Sequence, residues 1–289
     1  HDLAQRTSQP WFLFVDADVA LAPGAVRGFG ALVRRHRADV VTTLPEQQML
    51  TWFERAVVPL LHLTYMSWLP LLLIPATRST RFLAANGQTL LFESDAYRRV
   101  GGFQGVRGAI VDDMAICAAA KRSGLRVLFA DGQGLAVCRM YRSTREVWEG
   151  FSKNLYLGLG ARAHRLAAVI ALYLITFLAP FVAVAVNPSW TAAQRACLCV
   201  MALRLGIAAR FGHGMGTVLL PPLGIRGFVG IALSSMRWAL AGRIAWRGRT
   251  YSGAPMGDAP PSASRPRGPA KDAARSTAPA ESNAPGAPS

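Results

Sequence analysis

Two carboxylates spaced two residues apart close an apolar run, Trp11-Phe12-Leu13-Phe14-Val15-Asp16-Ala17-Asp18. The run reads as a buried strand of a parallel sheet, and the carboxyl edge of such a sheet is where open α/β folds bind ligands. Residues i and i+2 of an extended strand point the same way, so Asp16 and Asp18 would be aimed together. Carboxylates aimed together in water-poor surroundings repel unless a cation sits between them. Hard divalent cations take oxygen ligands and bridge to phosphates, so the pair is a candidate Mg²⁺ or Mn²⁺ site for a phosphorylated ligand. A Walker B strand also ends in Asp, but its partner string G-x-x-x-x-G-K-[ST] does not occur in the sequence.

A second acidic pair, Asp112-Asp113, opens a helix that runs through Lys121 and ends at Ser123-Gly124. Acidic residues suit a helix N-terminus on dipole grounds alone. A functional role would require one of them to stand in a cleft beside the first pair, as a base. Asn86-Gly87-Gln88 precedes a strand at 89–92, and this loop either brings main-chain amides close to a ligand or is an ordinary turn.

The elements that must position these residues follow in order. A turn at Pro23-Gly24 leads into a helix with Val26, Phe29, Leu32 and Val33 on its apolar face, closed by Arg34, Arg35, His36 and Arg37. Residues 39–44 read as the next strand. Residues 49–75 are apolar and aromatic but broken by Pro59 and Pro70 and charged at Glu54 and Arg55, which suits helices lying in a membrane interface; a buried helical hairpin is the alternative. Ser94 is the expected cap of a helix over 95–100, ended by Gly101-Gly102. Residues 125–130 and 135–140 read as two short strands joined by Asp131-Gly132-Gln133-Gly134.

Ser143-Thr144-Arg145-Glu146 matches a capping box. The helix it opens carries Val147, Trp148, Phe151 and Leu155 on one side, with Arg145 and Lys153 off it, as a membrane-surface helix would. Residues 166–186 are uncharged and long enough to cross a bilayer, and Arg162, His164 and Arg165 before them place the preceding domain in the cytoplasm. Residues 197–220 and 223–240 are weaker candidate spans, interrupted or bracketed by arginines. From about residue 252 the chain is rich in Ala, Pro, Ser and Gly and is expected to be disordered.

The 289 residues carry 32 Lys+Arg against 16 Asp+Glu, a net charge of +16, and are 52% hydrophobic. Mean hydropathy is +0.25. Strong positive charge suits nucleic acid or an anionic membrane. Because many of the cations flank apolar runs instead of forming one face, the membrane is expected and nucleic acid is not. Cys117, Cys138, Cys197 and Cys199 include no C-x-x-C pair and read as reduced thiols, neither zinc ligands nor a disulfide framework.

Taken together, residues 11–251 resemble a membrane-associated family 2 glycosyltransferase of the lipid, carotenoid or hopanoid type. Three blocks carry the resemblance: Val15-Asp16-Ala17-Asp18; Asn86-Gly87-Gln88 through Gly101-Gly102-Phe103 to Val111-Asp112-Asp113; and 141–154, with Trp246-Arg247-Gly248-Arg249-Thr250-Tyr251 resembling the relatives' end. The resemblance implies an α/β fold, with a partial GT-A (Rossmann-like) domain at 1–160, including interfacial helices at about 49–75 and 144–158. Transmembrane helices at 161–245 and a tail at 252–289 follow. It also implies inverting transfer from a nucleotide-diphosphate sugar, a UDP-sugar, to a lipid or other membrane-delivered hydroxyl, by a multi-pass protein of the plasma (inner) membrane.

By the same resemblance, Asp16 and Asp18 hold Mg²⁺ or Mn²⁺ on the diphosphate, and Asp113 is the catalytic base. Asn86, Gly87, Gln88, Asp112 and Trp148 line the donor and acceptor sites. Two departures stand out: Asp112 replaces the family's usual Glu, and the strands that bind nucleobase and ribose in the family are expected upstream of His1. The alternatives are a processive polysaccharide synthase, disfavoured because Q-x-x-R-W is absent from 141–154, and a catalytically inactive membrane scaffold.

Overall fold

A computed structural model describes residues 2–109, 111–242, 245–246 and 249–250. After a short helix α1 (Asp2–Gln5) come β1 (Trp11–Val15), β2 (Val19–Leu21), α2 (Ala25–His36) and β3 (Val40–Gln47). Three helices, α3 (Trp52–Val57), α4 (Pro59–Trp68) and α5 (Leu73–Ala76), separate β3 from β4 (Thr89–Glu93). Then follow α6 (Ser94–Arg99), α7 (Gly102–Gly105), α8 (Asp112–Arg122) and β5 (Val127–Cys138). The rest is helical: α9 (Thr144–Gly158), α10 (Ala163–Phe177), α11 (Ala179–Val186), α12 (Thr191–Arg210), a 3₁₀ turn at Met215–Leu219 and α13 (Pro221–Leu240). Two short strands, β6 (Ala245–Trp246) and β7 (Arg249–Thr250), pair with each other.

The five-stranded sheet has the order β1-β4-β3-β5-β2. Only β3 and β5 run parallel; the β1–β4, β3–β4 and β2–β5 pairs are antiparallel. The expected buried parallel strand at 11–15 is therefore an antiparallel edge strand. The interior place falls to β3, whose Val40 and Val41 are fully buried, and to β4, whose Leu90 and Phe92 are as well. In β1 only Phe12 is buried, and Val15 is 37% exposed. An aromatic run is hydrophobic enough for either role, and composition alone does not separate them.

One face of the sheet packs on α6 and α8 through Phe12, Phe92, Tyr97, Ile116 and Val127. The other packs on α2 through Phe29, Val41 and Leu128. The two strands expected at 125–130 and 135–140 are one strand, β5, with an irregularity where Pro45 opposes Gly132 but Glu46 opposes Val137. Glycine is required at the bend. A Cβ on Gly132 would stand 2.7 Å from Thr43 Oγ1 and 2.8 Å from the Leu44 carbonyl. Ser94 is the first residue of α6, not its cap; that position is Glu93.

The uncharged run at 166–186 is not one helix. It breaks at Leu178 into the 15-residue α10 and the 8-residue α11, because Pro180 lacks an N–H and its ring opposes a continuous helix. Among the described residues the helix long and apolar enough to span a bilayer is α12, with mean hydropathy 1.4. α9 is capped by Ser143, whose hydroxyl accepts from the Glu146 N–H. The reciprocal bond of the capping box shifts one residue, the Glu146 carboxylate accepting from the Arg142 N–H at 2.8 Å. A full capping box forms instead at Thr51 and Glu54 on α3. The apolar side of α9 is occupied by α3 and α13: Val147 is fully buried with Phe53, Val57 and Ile231. The expected tail at 252–289 lies outside the described residues, as does part of the 246–251 block.

Candidate active site

Register brings the candidate residues to one edge of the sheet. Val15 at the end of β1 lies opposite Thr89 at the start of β4, which lies opposite Thr43 on β3. Thr43 and Thr89 share a buried hydroxyl contact at 2.5 Å. The turn after β1 holds Asp16 and Asp18, both exposed. It is pinned to the loop before β4 by the Asp16 N–H donating to the Gln88 carbonyl at 3.1 Å. β5 ends at the same edge, since Val19 opposes Cys138 and the Arg139 N–H donates to the Asp18 carbonyl at 3.3 Å.

The loop 86–88 is fixed from both sides. The Thr42 hydroxyl donates to the Asn86 carbonyl and accepts from the Asn86 N–H, each at 2.8 Å. Asn86 Oδ1 accepts from the Gln88 N–H at 2.9 Å. Gln88 Oε1 accepts from the buried Gln47 Nε2 at 2.9 Å, while Gln88 Nε2 donates to Cys138 Sγ at 3.1 Å. This network leaves the Gly87 N–H directed at Asp113, whose Oδ2 accepts it at 2.8 Å. Asp113 Oδ1 accepts from the Met114 N–H at 2.7 Å, an interaction available only in the first turn of α8.

Asp113 is thus brought to the same edge as Asp16. Burial pushes its carboxyl up to about 6; the Asp112 and Asp16 charges add to the rise, and the hydrogen bonds from Met114 and Gly87 oppose it. A partly buried carboxyl raised in this way, and reached by a second acidic centre from a distant part of the chain, is a candidate general base. Asp112 is exposed, and its Oδ1 accepts the Asp113 N–H at 3.0 Å.

Four residues of this edge were not assigned a role from sequence. Cys138 is fully buried; burial pushes its thiol up, as do the charge of Asp18, a hydrogen bond with Asp18 and the charge of Asp16. Burial likewise raises the Tyr141 phenol, with Asp18 adding. Burial raises the Tyr65 phenol on α4, with Asp113 adding. Gln47 completes the group. Its signal in the sequence is absent, whereas Tyr141 opens a block that was singled out. Tyr141 reaches the edge because α9 carries no side chain at Gly150, where a Cβ would stand 2.3 Å from the ring.

Trp148 does not join this cluster through any hydrogen bond or ring contact among the described residues. Its indole Nε1 donates to Ser234 Oγ at 3.2 Å, and its ring covers Gly230 on α13. There it lines a cavity of about 460 Å³ with Leu233, Arg237 and Trp238. Among the described residues no group of three or more His, Cys, Asp or Glu side chains could hold a metal ion. Asp16 and Asp18 offer hard oxygen donors, and one or two carboxylates completed by substrate phosphates is how Mg²⁺ is commonly held. The donor chemistry of the pair therefore fits such an ion.

The fold and site define a mixed α/β domain with acidic residues from two chain segments, 16–18 and 112–113, gathered at one sheet edge around the 86–88 loop. Residues 2–155, more than half of the chain, match the family described as Glycosyltransferase like family 2, and the chain belongs to that family. No curated protein matches. Among solved structures, a crystal structure of S. aureus TarS aligns with a TM-score of 0.32 at 9% identity, covering 87% of this chain and 46% of that one. The chain thus spans under half the length of that structure.

Proposed function

We propose that this protein transfers a sugar, with inversion, from a nucleotide-diphosphate donor to a hydroxyl delivered from a membrane. The observation that carries the proposal is the convergence of Asp16 and Asp113 on the Gly87–Gln88 loop, within a domain of the glycosyltransferase-like family 2. The α/β half is read as part of a GT-A domain, and the donor as a UDP-sugar.

Asp16 and Asp18 would hold Mg²⁺ or Mn²⁺, which when bound would neutralise charge on the leaving diphosphate. Asp113 takes the proton from the acceptor hydroxyl, and its raised carboxyl supplies a better base than an ordinary Asp. Gly87 and Met114 hold the Asp113 carboxylate in place, and the Asn86–Gln88 loop stabilises Gly87. Asp112 tunes Asp113 by its charge. Trp148, on the cavity with Trp238 and Arg237, is read as part of the acceptor's approach.

A lipid acceptor and a location at the plasma (inner) membrane, with the α/β domain cytoplasmic, are supported by exposed apolar side chains. Trp52, Met66, Trp68, Leu72 and Leu73 on α3–α5 are exposed, as are Ile175, Val182 and Val186 on α10 and α11. A soluble surface rarely carries so many together. α12 adds a helix of spanning length. The test is titration with UDP-sugars, with and without Mn²⁺, followed by transfer to a membrane lipid extract and assignment of the product anomer. The protein should be expressed from its full reading frame in bilayer nanodiscs. Metal-dependent nucleotide binding with an inverted product supports the reading. Binding that ignores the metal, or retention of configuration, overturns it.

A further inference from the structure

Three basic side chains from α4, α12 and the segment just beyond α12 are buried together. His62 on α4 is 1% exposed, Arg204 on α12 is 2% exposed, and His213, just beyond α12, is 8% exposed. The His62 and His213 rings stand 4.7 Å apart edge to face, and His62 also lies 4.3 Å from the Phe211 ring. Phe211, which meets both histidine rings, belongs to a buried cluster with Leu60, Leu63, Val200 and Ile207.

The polar atoms of this trio are largely without partners. Arg204 Nη2 donates to the Thr217 carbonyl at 2.9 Å. Among the described residues, Arg204 Nε and Nη1, His62 Nδ1, and both His213 nitrogens are buried with no hydrogen-bond partner. Among the described residues the charged groups acting on His62 are His213 and Arg204, the one acting on His213 is Arg204, and Arg204 forms no ion pair with a carboxylate. Arg210, on the same helix, shows the contrast: its guanidinium is paired with Asp131 of β5.

A buried guanidinium without a counter-charge is among the most expensive groups a protein can enclose. Water could accept the stray N–H groups but would not neutralise the charge. A metal cation would be repelled by Arg204. A small anion answers both needs, since Arg204 offers two unpartnered donor nitrogens, Nε and Nη1, and each neutral imidazole can offer one N–H. Arg204 carries a single positive charge, which one monovalent anion neutralises, whereas a divalent oxyanion would leave a buried negative charge. We propose that His62, Arg204 and His213 form an internal site for one small monovalent anion of the chloride class, which ties α4 to α12. This site is independent of the sugar-transfer reading.

The test uses the full chain, with ³⁶Cl⁻ equilibrium binding and thermal unfolding in sodium chloride against sodium gluconate at equal ionic strength. The expected result is close to one bound ion per chain and a Tm higher in chloride by about 5 °C at saturation. Arg204→Met should lose both the binding and the chloride dependence. If that variant does not fold, His213→Phe keeps a ring against Phe211 and should weaken ³⁶Cl⁻ binding by about tenfold, the loss of one good donor. Equal Tm in the two salts with no bound ³⁶Cl⁻ overturns the site, as does full binding in Arg204→Met. Inorganic phosphate displacing ³⁶Cl⁻ at far lower concentration overturns the assignment to a small monovalent ion.

Discussion

The Gly87 N–H donates to the Asp113 carboxylate at 2.8 Å, joining a loop before β4 to a helix start 26 residues later. The loop carries Gln88, whose carbonyl holds the Asp16 N–H. Two hydrogen bonds therefore connect the acidic turn after β1 to the raised carboxyl on α8. If this edge is the catalytic centre, its geometry depends on residue 87 having no side chain.

Gly87→Ala tests that dependence. A Cβ there would stand 3.3 Å from Asp113 Cβ and 3.5 Å from Oδ2, close enough to push the carboxylate by a few tenths of an ångström. Transfer should fall about tenfold while the fold stays stable, because misplacement of a catalytic group is felt steeply. Steady-state kinetics with a thermal melt on the same sample check it. A wild-type rate would remove Gly87 from the site.

Asp113→Asn should lower the transfer rate by about 10²–10⁴, the range for loss of a general base, with donor affinity unchanged. In the parent, kcat should rise with pH through about 6 as Asp113 deprotonates. The stability effect has the opposite sign. With the carboxyl raised in the fold above its ordinary value of 3.8, the folded state binds the proton more tightly than the unfolded chain. That contribution is complete below about 3.8 and is lost as pH rises through about 6. Asp113→Asn should flatten this part of the stability curve, measured by urea unfolding from pH 4 to 7.

Asp18→Asn should abolish the Mn²⁺-dependent part of UDP-sugar binding, read by calorimetry with and without chelator. It should leave Tm within about 2 °C of the parent, since Asp18 is exposed. Retained metal dependence would move the metal away from this pair.

Two glycines of α9 should behave in opposite ways. At Gly150 a Cβ would enter the Tyr141 ring, whereas at Gly158 nothing lies within 4 Å. Gly150→Ala should cost about 1–3 kcal/mol from overpacking and lower activity through the displaced Tyr141. Gly158→Ala should be neutral or stabilise by up to about 1 kcal/mol, by helix propensity. Chemical denaturation of both variants decides it.

Residue type and local spacing determined much of this protein. Asp16, Asp18, Asn86–Gln88 and Asp112–Asp113 were legible as candidates because carboxylates after an apolar strand, a glycine loop and an acidic helix start are local signals. Helices α2, α8 and α9 and strands β3 and β4 could be read for the same reason. The tertiary structure decided what local signals do not contain. It placed β1 at the edge of a mixed sheet, because an aromatic run carries no mark of its pairing partners. It joined two predicted strands into β5 and split one predicted span at Leu178. It recruited Gln47, Tyr65, Cys138 and Tyr141 to the acidic edge, and it buried His62, Arg204 and His213 together. Each of these outcomes depends on contacts between residues far apart in the chain, and their free energy exists only once the pieces have met.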